Sequence, residues 1–264
     1  MRIHYILLVC VFLLTSCDKT KISWDSGEKE NLEECKVNLY VENSGSMEGY
    51  MHDGFEFKDA VFGYVTAINK YVDDTRFFYI NSKIVPNRIS LENLTGSFDA
   101  AAFKAGGGDR SSTNLAAMFK MILKEQQKNT VSVFVSDCIL DLPKGAAKNY
   151  FINNQIAIEA IVSKKLKKQK DLTFVVFRLM SRFYGKYYNS TGSSTVNAMR
   201  PYYVFLIGNG SLVSQLMRKV PLADIPNAKV TNMVAYINNH VPAMTITNST
   251  GRLFKKNKCN LLPE

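Results

Sequence analysis

Apolar residues in this chain recur by turns at two different periods, and that alternation constrains the fold more than any other feature. Thr130 to Ser136, TVSVFVS, is a β-branched and aromatic run, short enough for a strand and apolar enough to be buried on both faces. Ala147 to Lys168 follows as a long helix, and Leu172 to Leu179 as a further strand. Upstream, Val37 to Glu42 reads as a buried strand. Phe57 to Val72 reads as an amphipathic helix, with Ala60, Val61, Tyr64, Val65, Ile68 and Tyr71 near helical spacing, and Phe77 to Ile80 as a second strand. Lys83 to Ser90 is a candidate edge strand. Gly106-Gly107-Gly108 then breaks structure before Ser112 or Thr113, which can cap a helix from Leu115 to Lys128. Strands alternating with helices predict an α/β fold, a three-layer α/β/α doubly wound and mostly parallel sheet.

The alternation breaks after the fifth strand. Ser181 to Met199 is rich in Tyr, Ser, Gly and Thr and long for a loop, so it is either an extended hairpin or a functional excursion. Its aromatic stretch Phe183 to Tyr188 offers contact area to a partner or packs on its own domain. Pro201 to Gly208 is again strand-like, Ser211 to Val220 helical, Val230 to Ile237 open to either state, and Met244 to Thr247 strand-like. Residues 35–264 are the size of one large domain.

Composition turns abruptly near the start. Tyr5 to Leu14 is apolar, shorter than the roughly 18 residues needed to cross a bilayer and suited to the core of a secretory signal. Leu14-Thr15-Ser16-Cys17 resembles the lipobox of bacterial lipoproteins, which implies residues 1–17 as a signal peptide with Cys17 as the lipidated residue. An ordinary signal peptide cut nearby, or a buried first helix, are the alternatives. Residues 18–34, DKTKISWDSGEKENLEE, carry charge, Ser and Gly without apolar periodicity and read as a flexible tether. The address expected is the bacterial cell envelope, with the membrane held through a lipid anchor.

Cys35, Cys138 and Cys259 remain. They match no zinc or redox spacing; Cys35 and Cys259 are candidates for a disulfide and Cys138 for a buried thiol. Formal net charge is +10, densest at Lys164 to Lys170 and again at Lys255 to Lys258. A solvated helix end accounts for the first cluster, since cations complement the dipole of a last turn. Nothing interleaves aromatic residues with these lysines, so nucleic acid is not an expected partner.

Three polar clusters fall at or near strand ends, where ligands collect on open α/β sheets. The first is Glu42-Asn43-Ser44-Gly45-Ser46, the second Ser112-Thr113, the third Asp137. Carboxylates with hydroxyls make an all-oxygen set, which hard divalent cations favour. Asp109 and Asp141 lie close by in sequence as accessory candidates or as plain loop carboxylates, and His52 is the lone histidine near the first cluster.

In order and content these clusters resemble the metal-ion-dependent adhesion site of the von Willebrand factor A family. ENSGSM looks like the strand-end Asp-x-Ser-x-Ser, SSTNLAAMF like the element carrying the downstream Thr, and VFVSDCILD like the one carrying the last Asp. The resemblance spans about Val37 to Gly208 and implies a Rossmann-like arrangement in which Ser44, Ser46 and Thr113 ligate through hydroxyl oxygens and Asp137 directly or through water. Glu42 departs from the pattern, because its extra methylene moves the carboxylate outward and Mg²⁺ keeps strict contacts near ~2.1 Å. The resemblance implies Mg²⁺, with Ca²⁺ or Mn²⁺ as alternatives, and binding of an envelope or surface protein without catalysis. A metal-less structural lipoprotein is the second reading. A hydrolase using Ser44, Ser46 or a metal-activated water is the third, and it lacks both a Gly-x-Ser-x-Gly elbow and a strand-end histidine, His240 being the sole later candidate.

Overall fold

The computed structural model describes residues 22–24, 32–52, 54–87, 98–111, 113–140, 147–189, 192–237 and 244–246. Cys17, Asp141, Ser112, His240 and Cys259 lie outside them, and with them the lipid site, one accessory carboxylate and one half of the candidate disulfide. The chain divides into two compact units, Met1–Asp25 with Pro242–Glu264, and Ser26–Val241. In the first, strand β1 (Ile22–Trp24), inside the stretch expected to be a tether, pairs antiparallel with β9 (Met244–Ile246).

The larger unit is α/β. Its seven strands are β2 (Lys36–Glu42), β3 (Asp74–Ile80), β4 (Ile84–Pro86), β5 (Thr130–Ser136), β6 (Leu172–Asn189), β7 (Gly192–Asn209) and β8 (Lys229–Ile237), in spatial order β4-β3-β2-β5-β7-β6-β8. β2 runs parallel to β3 and β5; every other neighbouring pair is antiparallel. The sheet is therefore mixed, not mostly parallel as the alternation predicts. The cause is the stretch 181–199. It continues β6 to Asn189 and turns straight back into β7, and strands joined by so short a connection can only be antiparallel. β7 then takes the place beside β5 that a helical crossover would have given to a parallel strand.

The helices are α1 (Glu56–Ile68), α2 (Ala100–Ala105), α3 (Leu115–Glu125), α4 (Ala147–Lys168) and α5 (Gly210–Lys219). Leu39, Val135, Leu179, Tyr202 and Val204 line one sheet face, where Ala60, Val61 and Tyr64 of α1 pack. On the other face Tyr40, Phe134, Phe174 and Ile207 bury against Met118, Phe119, Ile122 and Leu123 of α3, with Ile158, Ile161, Val162 and Leu166 of α4 beside them. Phe119 meets Phe134 and Phe205 edge-on at 5.6 and 5.3 Å. Burial of each such side chain is worth about 1.5–3 kcal/mol, which is why an eleven-residue helix that would be marginal alone holds here.

The distal hairpin folds back onto the start of the domain. Glu56, buried at the first turn of α1, accepts hydrogen bonds from the Arg182 amide at 2.9 Å and from Lys229 Nζ at 2.7 Å, with Arg182 Nε at 3.3 Å. Tyr50 donates its hydroxyl to the Pro201 carbonyl at 2.7 Å, and His52 Nε2 donates to the Tyr184 carbonyl at 2.8 Å. Phe183 lies so close over Gly49 that a Cβ there would fall 2.3 Å from its ring. Phe183 is therefore core, 1% exposed, while Tyr184 stays 48% exposed.

Candidate functional site

β2 and β5 are neighbours and parallel, so their carboxyl ends open at the same level and bring Glu42 beside Ser136 and Asp137. Past Glu42 the chain enters a 3-10 turn, Gly45–Tyr50, with Ser44 as its N-cap residue, and the Ser44 and Ser46 hydroxyls lie 2.9 Å apart. The glycine loop closes on this turn from the side. The Gly45 amide donates to the Arg110 carbonyl at 3.0 Å, Arg110 Nε donates to the Asn43 carbonyl at 2.6 Å, and Arg110 Nη2 pairs with Glu48 at 2.6 Å. Asn81 Nδ2 joins Asn43 Oδ1 at 2.8 Å to the Gly107 carbonyl at 2.7 Å. Gly108 follows at φ +78°, and a Cβ there would lie 1.9 Å from Asn81 Oδ1. Only glycine fits.

Thr113, delivered by that loop, donates its hydroxyl to Glu42 Oε1 at 3.0 Å. Thr113, one of the two residues expected to cap α3, thus turns its hydroxyl into the site, and Asn114 caps the helix, accepting from the Ala117 amide at 2.9 Å. Ser136 donates to the other carboxylate oxygen, Glu42 Oε2, and its Oγ also accepts from the Cys138 amide at 2.8 Å. Cys138 adopts φ +54°, uncommon for a residue with a Cβ, and this left-handed step turns the chain sharply after Asp137. Asp137 Oδ1 accepts from the Ile139 amide at 3.0 Å. Its Oδ2 is buried and receives no hydrogen bond of ordinary geometry, with the Ser46 hydroxyl acting on the carboxylate from close by.

Glu42, Ser44, Thr113, Ser136 and Asp137 are all at most 4% exposed. Two carboxylates enclosed together resist joint ionisation. Burial, then the Glu42 charge, raises the Asp137 pKa well above the ordinary carboxylate range, against the opposing pull of the Ile139 amide, Ser46 and Arg200. Burial likewise raises the Cys138 thiol, as expected for an inert cysteine. Cys138 is half-buried as a residue, whereas Cys35 is fully buried, its Sγ 3.4 Å from the Lys36 carbonyl.

All five residues singled out from the sequence, Glu42, Ser44, Ser46, Thr113 and Asp137, thus meet at one end of the sheet. Asp109 does not join them: it is exposed, its Oδ1 accepts from the Ser111 hydroxyl and amide at 2.6 and 2.9 Å, and these bonds lower its pKa. His52 serves the hairpin. Sequence reasoning missed Ser136 and Arg110. A hydroxyl at the carboxyl end of the central strand, beside Asp137, was the available signal for Ser136; nothing local marks Arg110.

Comparison with family models, curated proteins and solved structures finds no match for this chain. What the site can do rests on its own chemistry. Hydroxyl and carboxylate oxygens are the donors of a hard cation, and the orphaned Asp137 Oδ2 is a buried acceptor that a cation or a proton would satisfy. Among the described residues no three His, Cys, Asp or Glu side chains gather at one point, so the charge available to a cation comes from two carboxylates.

Proposed function

We propose that this protein is an envelope lipoprotein, anchored through Cys17, whose von Willebrand factor A-like domain binds another envelope or surface protein with the help of a divalent cation. The observation that carries the reading is the unpartnered Asp137 Oδ2, enclosed with Glu42 and the hydroxyls of Ser44, Ser46 and Thr113 at the carboxyl ends of β2 and β5. Helices on opposite faces of the sheet and the parallel order of β3, β2 and β5 agree with a doubly wound arrangement in this half of the domain. Ser44, Ser46, Thr113 and Asp137 would hold Mg²⁺, Mn²⁺ or Ca²⁺, with Glu42 contributing charge from behind its two hydroxyl donors. The cation would supply a positive centre for a partner's oxygen ligand; no catalytic role is assigned.

One observation favours the metal-less structural reading: both Glu42 oxygens already receive hydroxyl donors. Thermal unfolding of the full chain separates the two. A cation that binds the native state should raise Tm by about 5–10 °C at a hundred times its Kd, given roughly 2–4 °C per kcal/mol for a domain of this size. Asp137→Ala should remove the rise. No shift with Mg²⁺, Mn²⁺ or Ca²⁺ leaves the metal-less reading, and membrane retention of a Cys17→Ser variant refutes the lipid anchor.

A further inference from the structure

The candidate site takes up the sheet end where β2 and β5 finish. The opposite end, where they begin, gathers lysines that the site does not use. Three connections meet there: the 3-10 turn Leu32–Glu34 entering β2, residues 126–129 between α3 and β5, and residues 169–171 between α4 and β6. They are fastened together. Lys165 Nζ donates to the Gln126 carbonyl at 2.7 Å, the Lys36 amide to the Asn129 carbonyl at 2.9 Å, and Asn129 Nδ2 to the Glu34 carbonyl at 3.5 Å.

Around this junction α3 and its turn expose Lys124 and Lys128, and α4 and its turn expose Lys164, Lys167, Lys168 and Lys170. The charges crowd one another: partial burial, then the neighbouring Lys168, lowers the Lys165 pKa. On the acidic side stand Glu34, Glu125 and Asp73, with Asp171 accepting from Asn209 Nδ2 at 2.6 Å and Asp74 engaged by Lys36 at 3.8 Å and Arg76 at 2.8 Å.

We propose that this basic end is a docking surface for anionic phospholipid headgroups, which turns the Asp137 site away from the bilayer. Charge complementarity favours this occupant, because lysine ammoniums near an anionic leaflet each add about fivefold to affinity. Chain entry favours it as well. The 3-10 turn Leu32–Glu34 enters β2 at this same end, so the chain toward a lipidated Cys17 leaves the domain here; that connection to the membrane rests on the lipoprotein reading, while the lysine surface does not. Single-stranded nucleic acid is the poorer fit, since no aromatic residue stands between Lys164 and Lys170 to stack a base.

The test is vesicle co-sedimentation of the full chain carrying Cys17→Ser, in EDTA, so that neither acyl chain nor cation site contributes. Vesicles of phosphatidylcholine with about a third phosphatidylglycerol are compared with phosphatidylcholine alone, against which the apolar stretch 5–14 contributes equally. Binding to the anionic vesicles is expected to exceed binding to the neutral ones at least tenfold and to collapse in 0.5 M salt. Lys164→Gln, Lys167→Gln and Lys168→Gln together should remove at least tenfold of that preference. Lys83→Gln, Lys104→Gln and Lys186→Gln, an equal change of net charge at other places, should leave most of it. Equal losses in the two triples, no preference for anionic vesicles, or tighter binding to a single-stranded RNA oligonucleotide would each overturn the proposal.

Discussion

Neutralising Glu56 should loosen the hairpin in a way that depends on pH. Burial alone would raise the pKa of this carboxylate, yet the Arg182 amide, Lys229 and the Arg182 side chain outweigh it and hold it at about 2 against an ordinary 4.5. A difference of that size corresponds to about 3 kcal/mol of stability. Both cationic partners are about half exposed, at 52% and 51%, so solvent screening brings the figure down to about 1–2 kcal/mol. Because the folded pKa lies below the unfolded one, the contribution is full above about pH 4.5 and is lost as pH falls toward 2. Glu56→Gln keeps the shape of the side chain and an acceptor for the Arg182 amide but gives up the charge. At pH 7 the variant should melt about 3–6 °C below the parent, and the gap should narrow steadily between pH 5 and 2.5, measured by thermal unfolding of the full chain in matched salt. A gap that is absent at pH 7, or constant down to pH 2.5, would refute the argument that the ionised carboxylate fastens the hairpin.

Glu42→Asp draws the carboxylate back from the Thr113 and Ser136 hydroxyls, and in EDTA it should cost about 1–3 kcal/mol in urea unfolding. The same change supplies the strand-end Asp that the proposed von Willebrand factor A-like site would use, so added Mg²⁺ should stabilise Glu42→Asp more than the parent, read by the same melts. Gly108→Ala meets both a left-handed backbone and the Asn81 amide, and should destabilise by about 2 kcal/mol or more, against little change for an exposed alanine substitution elsewhere.

Local pattern carried a good part of this fold and less of its connectivity. Thr130–Ser136 was legible as a strand because it is short, β-branched and aromatic, and the structure buries every residue of it; Ala147–Lys168 was legible because its length suits only a helix. Strand direction was not legible beyond Leu179. Periodicity reports which residues are buried, whereas direction depends on whether 181–199 crosses over or turns back, and that is decided by Glu56, Gly49 and Tyr50, more than a hundred residues upstream. The five site residues could be gathered because each lies at a recognisable break between period and turn. Ser136 escaped because its hydroxyl sits within a strand and acts across to Glu42 on the neighbouring one.

The antiparallel partnership of β5 with β7 divides the sheet into two sequence-local pieces. One, β2 to β5, is joined by turns and helical crossovers; the other, β6 to β8, is dominated by a hairpin whose strand ladder is local in sequence. Within the sheet they share one seam, from Val131 opposite Gly208 to Ser136 opposite Tyr203. Each piece can gain order before the seam closes, since hairpins assemble within microseconds while the crossovers close longer loops. At one end of that seam lies Asp137, within the electrostatic reach of Arg200 from across it. One end of the seam and the buried acid thus share one address, so a slip of one half along the other would alter the surroundings of Asp137.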